Sequence, residues 1–205
     1  MFDFIHYFVI DVCHVDGIAS RLLTAFLITA LIFFSVIIIG WAINKLENLQ
    51  IRFLSKIVKR ETAVNICNYA TFPGVCLHEL AHAVMAWLTG AKVVEICFFA
   101  LGDDGRLGYV SYAPRGSKLQ QKFQIAATSC APVLFGLQFL ILLVFLLCTV
   151  QLPWYSYIAG WYVAISVLDH MSMSSVDIKC YVKSMFIFLP LIFIISYVII
   201  LFAYR

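Results

Sequence analysis

Charge is scarce in this chain. Asp, Glu, Lys and Arg supply 12% of its residues while 63% are hydrophobic, and a soluble domain carries about twice that share of charge. So little polar surface cannot cover a water-facing globule, and the length of the apolar runs excludes a large soluble helical core. Internal repeats are absent, as are Pro-rich, Gly/Ser-rich and acidic low-complexity stretches, so the chain reads as a single domain. Cysteine is present at positions 13, 67, 76, 97, 130, 148 and 180 but never as Cys-x-x-Cys. That spacing gives neither a disulfide framework nor a cysteine zinc site, and cysteine in apolar context behaves as a small hydrophobe. No basic region precedes a cleavable apolar core at the N-terminus, so the first apolar helix is expected to stay in the membrane. The net charge of +3 is too small to argue for nucleic acid. The lysines and arginines instead cluster beside apolar runs, as they do at membrane surfaces.

What the chain has in abundance is long uncharged segments. Residues 1–20 mix aromatics with Asp3, Asp11 and Asp16 and suit a short interfacial helix. Residues 22–43 then run without a charge, enough to cross about 30 Å of hydrocarbon. Residues 45–60 alternate Lys45, Arg52, Lys56, Lys59 and Arg60 with Leu46, Leu49, Phe53, Leu54 and Ile57. This is a basic amphipathic connector suited to a bilayer surface bearing anionic lipid. A second apolar segment, 63–88, is interrupted by Pro73-Gly74 and ended by Gly90. If it crossed fully, the basic clusters on its two sides would fall on opposite faces, against the positive-inside tendency. A segment broken at Pro73-Gly74 can instead dip in and return. Residues 91–112 carry β-branched and aromatic residues on both sides of Gly102-Asp103-Asp104-Gly105, which predicts a β-hairpin. Further apolar segments follow at 123–150, 153–168 and 185–204, with a polar island at 169–177. The expected fold is an all-α polytopic membrane protein with about five membrane helices and a small β-hairpin after the second apolar segment.

The chemistry sits in that second segment. His78-Glu79-Leu80-Ala81-His82 places two imidazoles at i and i+4, one above the other on a single helix face. Two such rings can bind one Zn²⁺ through neutral nitrogens, and Glu79 beside the first can take a proton from water on the metal and pass it to a leaving nitrogen. Ionisable groups inside an apolar segment are costly and usually functional, which makes a merely structural histidine pair a poor explanation.

A catalytic zinc needs a third protein ligand, and the choice is short. Downstream of the motif stand Glu95, Asp103, Asp104, Asp169, His170 and Asp177. Glu95 is too close along the chain to fold back, and Asp103 and Asp104 suit a turn. Asp177, after Ser174-Ser175, comes first, although the first turn of a capped helix would also explain it. Asp169 comes second, and His170 is a third option.

These features resemble the site-2 protease family of intramembrane zinc metalloproteases. The likeness rests on His78-Glu79-Leu80-Ala81-His82-Ala83, on Gly108-Tyr109-Val110 in the hairpin, on Ser129-Cys130-Ala131-Pro132 through Gly136, and on a late Asp between apolar helices, over residues 70–180. In the family the third ligand is the Asp of a Leu-Asp-Gly motif. Leu168-Asp169-His170 lacks the Gly, whereas Ser-x-x-Asp at 174–177 looks like the variant of divergent relatives. No residue stands out as the family's substrate-binding asparagine.

The resemblance implies a multi-pass protein of the cell membrane, with one Zn²⁺ held by His78, His82 and Asp177 and with Glu79 as general base. It would cut transmembrane or membrane-proximal peptides, an unwound substrate lying along the hairpin edge. Residues 1–60 would be the anchor helix and basic connector, 61–183 the catalytic core, and 184–205 a C-terminal membrane helix. The competing expectation is a membrane zinc-binding or transport protein without hydrolysis. It is disfavoured because a transport path calls for ionisable groups in several helices.

Overall fold

In a computed structural model of the chain, residues 1–11, 17–98 and 108–203 are described. They form eight α-helices and one hairpin: α1 (Phe2–Asp11), α2 (Gly17–Leu54), α3 (Arg60–Ala70), α4 (Phe72–Leu88), β1 (Lys92–Cys97), β2 (Tyr109–Ala113), α5 (Lys118–Thr149), α6 (Trp154–His170), α7 (Ser175–Met185) and α8 (Leu189–Ala203). A single 3-10 turn, Phe186–Phe188, joins α7 to α8.

Three of these stretches are long and apolar enough to cross a membrane: Gly17–Leu54, Lys118–Thr149 and the combined Ser175–Ala203. The expected count of about five is therefore not supported, and the reason is length. Helices α4 and α6 have 17 residues each, or about 26 Å at 1.5 Å per residue. That falls short of a hydrocarbon core of about 30 Å. The connector expected at 45–60 is also different, because α2 continues unbroken to Leu54. Lys45, Leu49 and Arg52 thus belong to the last turns of the first long helix.

The hairpin forms as expected. Strands β1 and β2 pair antiparallel, from Lys92 opposite Ala113 to Cys97 opposite Tyr109, with a bulge between Val93 and Glu95. Its turn, including Asp103 and Asp104, lies outside the described residues, as do Cys13, Asp16 and Tyr204.

Helix α4 is the centre of the arrangement and packs on α5, α6 and the hairpin. Its start is built by its neighbour α6. Thr71 breaks the line from α3, and Pro73 in the first turn of α4 has no N–H to contribute. The polar groups freed at this break are satisfied by Tyr162, Ser166 and His170, which recur at every fourth position along one face of α6. The Tyr162 hydroxyl donates to the Ala70 carbonyl at 2.8 Å. Ser166 Oγ donates to the Thr71 carbonyl at 2.7 Å and accepts from the Gly74 N–H at 2.7 Å. His170 Nε2 lies 2.6 Å from Thr71 Oγ1. Since that hydroxyl donates to Cys67 O, it accepts from the imidazole. A break in an apolar bundle persists only when its backbone groups are met in this way. Gly74 is also where the two helices touch, since a Cβ there would run into the Ser166 carbonyl.

At its other end α4 stops at Gly90, whose φ of +85° is the left-handed geometry that ends helices. The fully buried Gln124 of α5 fastens this corner. Its amide nitrogen donates to the Thr89 carbonyl at 3.0 Å and its oxygen accepts from the Arg115 N–H at 2.8 Å. On the opposite side of α5, Phe33, Cys130, Val133, Met173 and Tyr181 form a core that locks α5 to α2 and α7.

Candidate metal centre

The motif residues fall as their spacing requires. His78 and His82 lie one turn apart on α4, and their Nε2 atoms face each other at 3.2 Å. The protons of the two rings are decided by the other nitrogens. His78 Nδ1 lies 2.6 Å from the His170 carbonyl, and His82 Nδ1 lies 2.8 Å from the Thr128 carbonyl. A carbonyl can only accept, so each Nδ1 carries a hydrogen, and a ring in its neutral form then presents a lone pair at Nε2. Two lone pairs pointed at one another cannot bond to each other. They ask for a cation between them. Tetrahedral zinc at 2.0–2.1 Å would set its nitrogens about 3.3 Å apart, close to the separation seen.

Both carbonyls are free to accept for reasons written in the backbone. Thr128 lies four residues before Pro132, inside α5. Proline has no N–H, so the Thr128 carbonyl loses its usual helical donor and turns to His82 instead. His170 is the last residue of α6, where carbonyls have no helical donor ahead of them. Each histidine is therefore oriented by an orphan carbonyl, the common support of metal-binding imidazoles.

Asp177 is the third member. Ligand atoms of His78, His82 and Asp177 all lie within 4.8 Å of one another, and Asp177 Oδ2 is 3.9 Å from His82 Nε2. The same residue is the N3 member of a capping box on α7. Ser174 Oγ accepts from the Asp177 N–H at 3.1 Å, while Oδ2 accepts from the Ser174 N–H at 3.1 Å and from its hydroxyl at 2.6 Å. The two readings of Asp177 are thus compatible: the cap holds the carboxylate in place beside the histidines.

The alternatives do not join. Asp169 is only 3% exposed, but it faces Glu47 and Gln50 of α2. The His170 ring is engaged with Thr71, and only its carbonyl serves the centre. Glu95 accepts from the Tyr109 hydroxyl at 2.8 Å on the hairpin surface.

A cavity of about 610 Å³ opens onto the centre. Glu79 lines it, as do Tyr109, Val110 and Tyr112 of β2. Gly108 brings the start of β2 against Glu79, where a Cβ would lie 2.8 Å from Glu79 Cγ and 2.9 Å from the Cys97 carbonyl. Burial, with Cys180 and Asp177 nearby, pushes the Tyr112 phenol up to about 12, so it stays a neutral hydrogen-bond donor on the cavity wall. Asn44, Glu47 and Asn68 complete a polar wall from α2 and α3. Asn44 and Glu47 lie well before the motif in sequence, and only the packing of α2 reveals them. No family model, no curated protein and no solved structure matches the chain.

Proposed function

We propose that the chain is a zinc-dependent endopeptidase embedded in the membrane, similar in chemistry to the site-2 proteases. The observation that carries the reading is the pair of Nε2 lone pairs 3.2 Å apart, each fixed by a carbonyl behind it, with Asp177 beside them and Glu79 in the same cavity. His78, His82 and Asp177 would hold one Zn²⁺. A bound zinc supplies Lewis acidity, acidifying water and polarising the carbonyl to be attacked. Glu79 takes the proton of the attacking water and returns it to the leaving nitrogen. The hairpin orients the peptide: Val110 and Tyr112 share one face of β2 and line the cavity, with Tyr109 at its rim. A strand with one unpaired edge can pair with an extended substrate backbone. A helical substrate must unwind to be cut, which makes transmembrane or membrane-proximal peptides with a weak helix the fitting class. Three helices of spanning length and composition support a multi-pass location.

The test pairs zinc content with cleavage of a model membrane substrate by the full chain in lipid nanodiscs. Glu79→Gln is expected to keep one zinc per chain while cleavage falls about 10²- to 10⁴-fold, the usual share of a general base. Wild-type cleavage by Glu79→Gln would sink the proposal. Zinc binding by a wild-type chain that cleaves nothing would instead favour a non-hydrolytic zinc protein.

A further inference from the structure

Among the described residues that line the cavity, three are acids: Glu47, Glu79 and Asp177. The last two belong to the metal centre, and Glu47 does not. It stands half-buried in α2, a helix of membrane-spanning length and composition, where an ionisable side chain is costly and usually functional. Its own helix leaves the charge uncompensated. The positions one turn away, Ile43, Asn44, Gln50 and Ile51, hold no cation, so no intrahelical ion pair can form. Lys45, close by in sequence, lays its ammonium over the Trp41 ring at 5.6 Å. Asn48 spends both hydrogens of its amide on Asn44, donating to the carbonyl at 2.7 Å and to Oδ1 at 2.9 Å. Among the described residues, no lysine or arginine forms an ion pair with Glu47, and none lines the cavity.

We infer that Glu47 is the anionic wall of a substrate subsite, which takes a lysine or arginine side chain a few residues from the bond to be cut. The inference rests on the endopeptidase reading and narrows its substrate class to peptides with a basic residue beside an apolar segment. Placement follows from α2. Gly40, Asn44 and Glu47 share one stripe of that helix. A Cβ at Gly40 would lie 3.0 Å from Met173 Cγ, and Met173 directly precedes the capping box that carries Asp177. From that contact the stripe continues along the cavity through Asn44 to Glu47. Seven residues of helix rise about 10 Å, the length of about three residues of extended chain. The chemistry follows from the wall. A carboxylate accepts charge-assisted hydrogen bonds from ammonium or guanidinium, and the apolar stem of either side chain can lie along Val64 and Val75 of the same cavity. With Asp177 on the metal and Glu79 beside it, Glu47 is the negative charge left to draw a cationic substrate and to turn away an acidic one. Lysine and arginine are concentrated just outside transmembrane helices on the cytoplasmic side, so membrane-proximal segments supply such side chains in quantity.

The experiment uses the full zinc-loaded chain in nanodiscs of zwitterionic lipid. The probes are fluorescent peptides, uncharged apart from one residue that is Lys, Gln or Glu and is moved stepwise along the sequence. Binding is measured on Glu79→Gln, which is expected to hold peptide without cutting it, and kcat/KM on chains with Glu79 intact. The buffer is mildly alkaline, so that carboxylates are ionised. At one position Lys should bind and be cut about tenfold better than Gln, the size of one hydrogen bond to a charged group, and Glu should be worse than Gln. Glu47→Gln should erase the Lys advantage at that position, and Glu47→Lys should turn the preference towards Glu, with zinc content unchanged at one per chain. No Lys advantage at any position would overturn the inference, as would an advantage that survives Glu47→Gln. Equal losses for the Lys, Gln and Glu peptides would overturn it too, as a mark of general damage to the wall. Cleavage absent throughout, with a Lys preference in binding that Glu47→Gln removes, would end the protease reading and keep the cationic subsite, so the two failures are distinguishable.

Discussion

The end of α6 and the start of α7 are separated by four residues and treat their acids in opposite ways. At the end of α6, Asp169 turns its carboxylate towards α2, and the helix gives the centre a bare carbonyl from the next residue, His170. At the start of α7, the carboxylate of Asp177 itself reaches the histidines, steadied by Ser174. A helix end offers unpaired carbonyls at its C-terminus and unpaired N–H groups at its N-terminus. The first can orient an imidazole. The second can hold an acid in a defined rotamer. The two ends therefore contribute in complementary ways to one cluster, a carbonyl from the end of α6 and a carboxylate from the start of α7.

The comparison is broken most directly by exchanging the acids' roles. Asp177→Asn should lose more zinc affinity than the tenfold to hundredfold typical of losing an outer support. Asp169→Asn should keep zinc within about twofold, because a residue outside the coordinating set is not expected to reach even that lower range. Competition with a calibrated chelator measures both. Equal losses would mean that the centre is not assembled from the start of α7.

The clustering of His78, His82 and Asp177 was legible in the sequence because it depends on local spacing. His78 and His82 share a face by helical periodicity, and Ser174 to Asp177 is a cap pattern. The hairpin was legible from its β-branched and aromatic residues. The rejection of Asp169 was not, since Asp169 and Asp177 both stand between apolar helices and only tertiary packing turns one of them away. Apolar runs overstate the number of spans because they show composition. They do not show that Thr71 and Pro153 leave two helices at 17 residues. The carbonyl behind His82 had a sequence signal that is easy to overlook: a proline four residues after Thr128 in a helix.

That signal gives a sharper test on the α5 side. Pro132→Ala restores an N–H that competes with His82 for the Thr128 carbonyl. Zinc affinity should fall about tenfold or more, as for loss of an outer-shell partner. Stability should hold or rise, since proline is about 3 kcal/mol worse than alanine in a helix interior. Opposite signs in chelator competition and thermal unfolding would separate orientation of His82 from general packing. A parallel fall in both would show that Pro132 matters for the fold alone.

The smallest effect is expected at Ser174. Ser174→Ala removes the hydroxyl that accepts from the Asp177 N–H and donates to its carboxylate, at a cost of about 1 kcal/mol for the helix cap. The carboxylate keeps its place in the first turn of α7 and its bond from the Ser174 N–H. It loses one of the contacts that pre-orient it, so zinc affinity should drop by about tenfold at most. Unfolding and zinc affinity together weigh the two roles of Asp177. If Ser174→Ala costs as much zinc as Asp177→Asn, the capping box is what builds the third ligand, and α7 serves the centre chiefly through its first turn. If it costs stability and leaves zinc unchanged, the metal alone suffices to position the carboxylate.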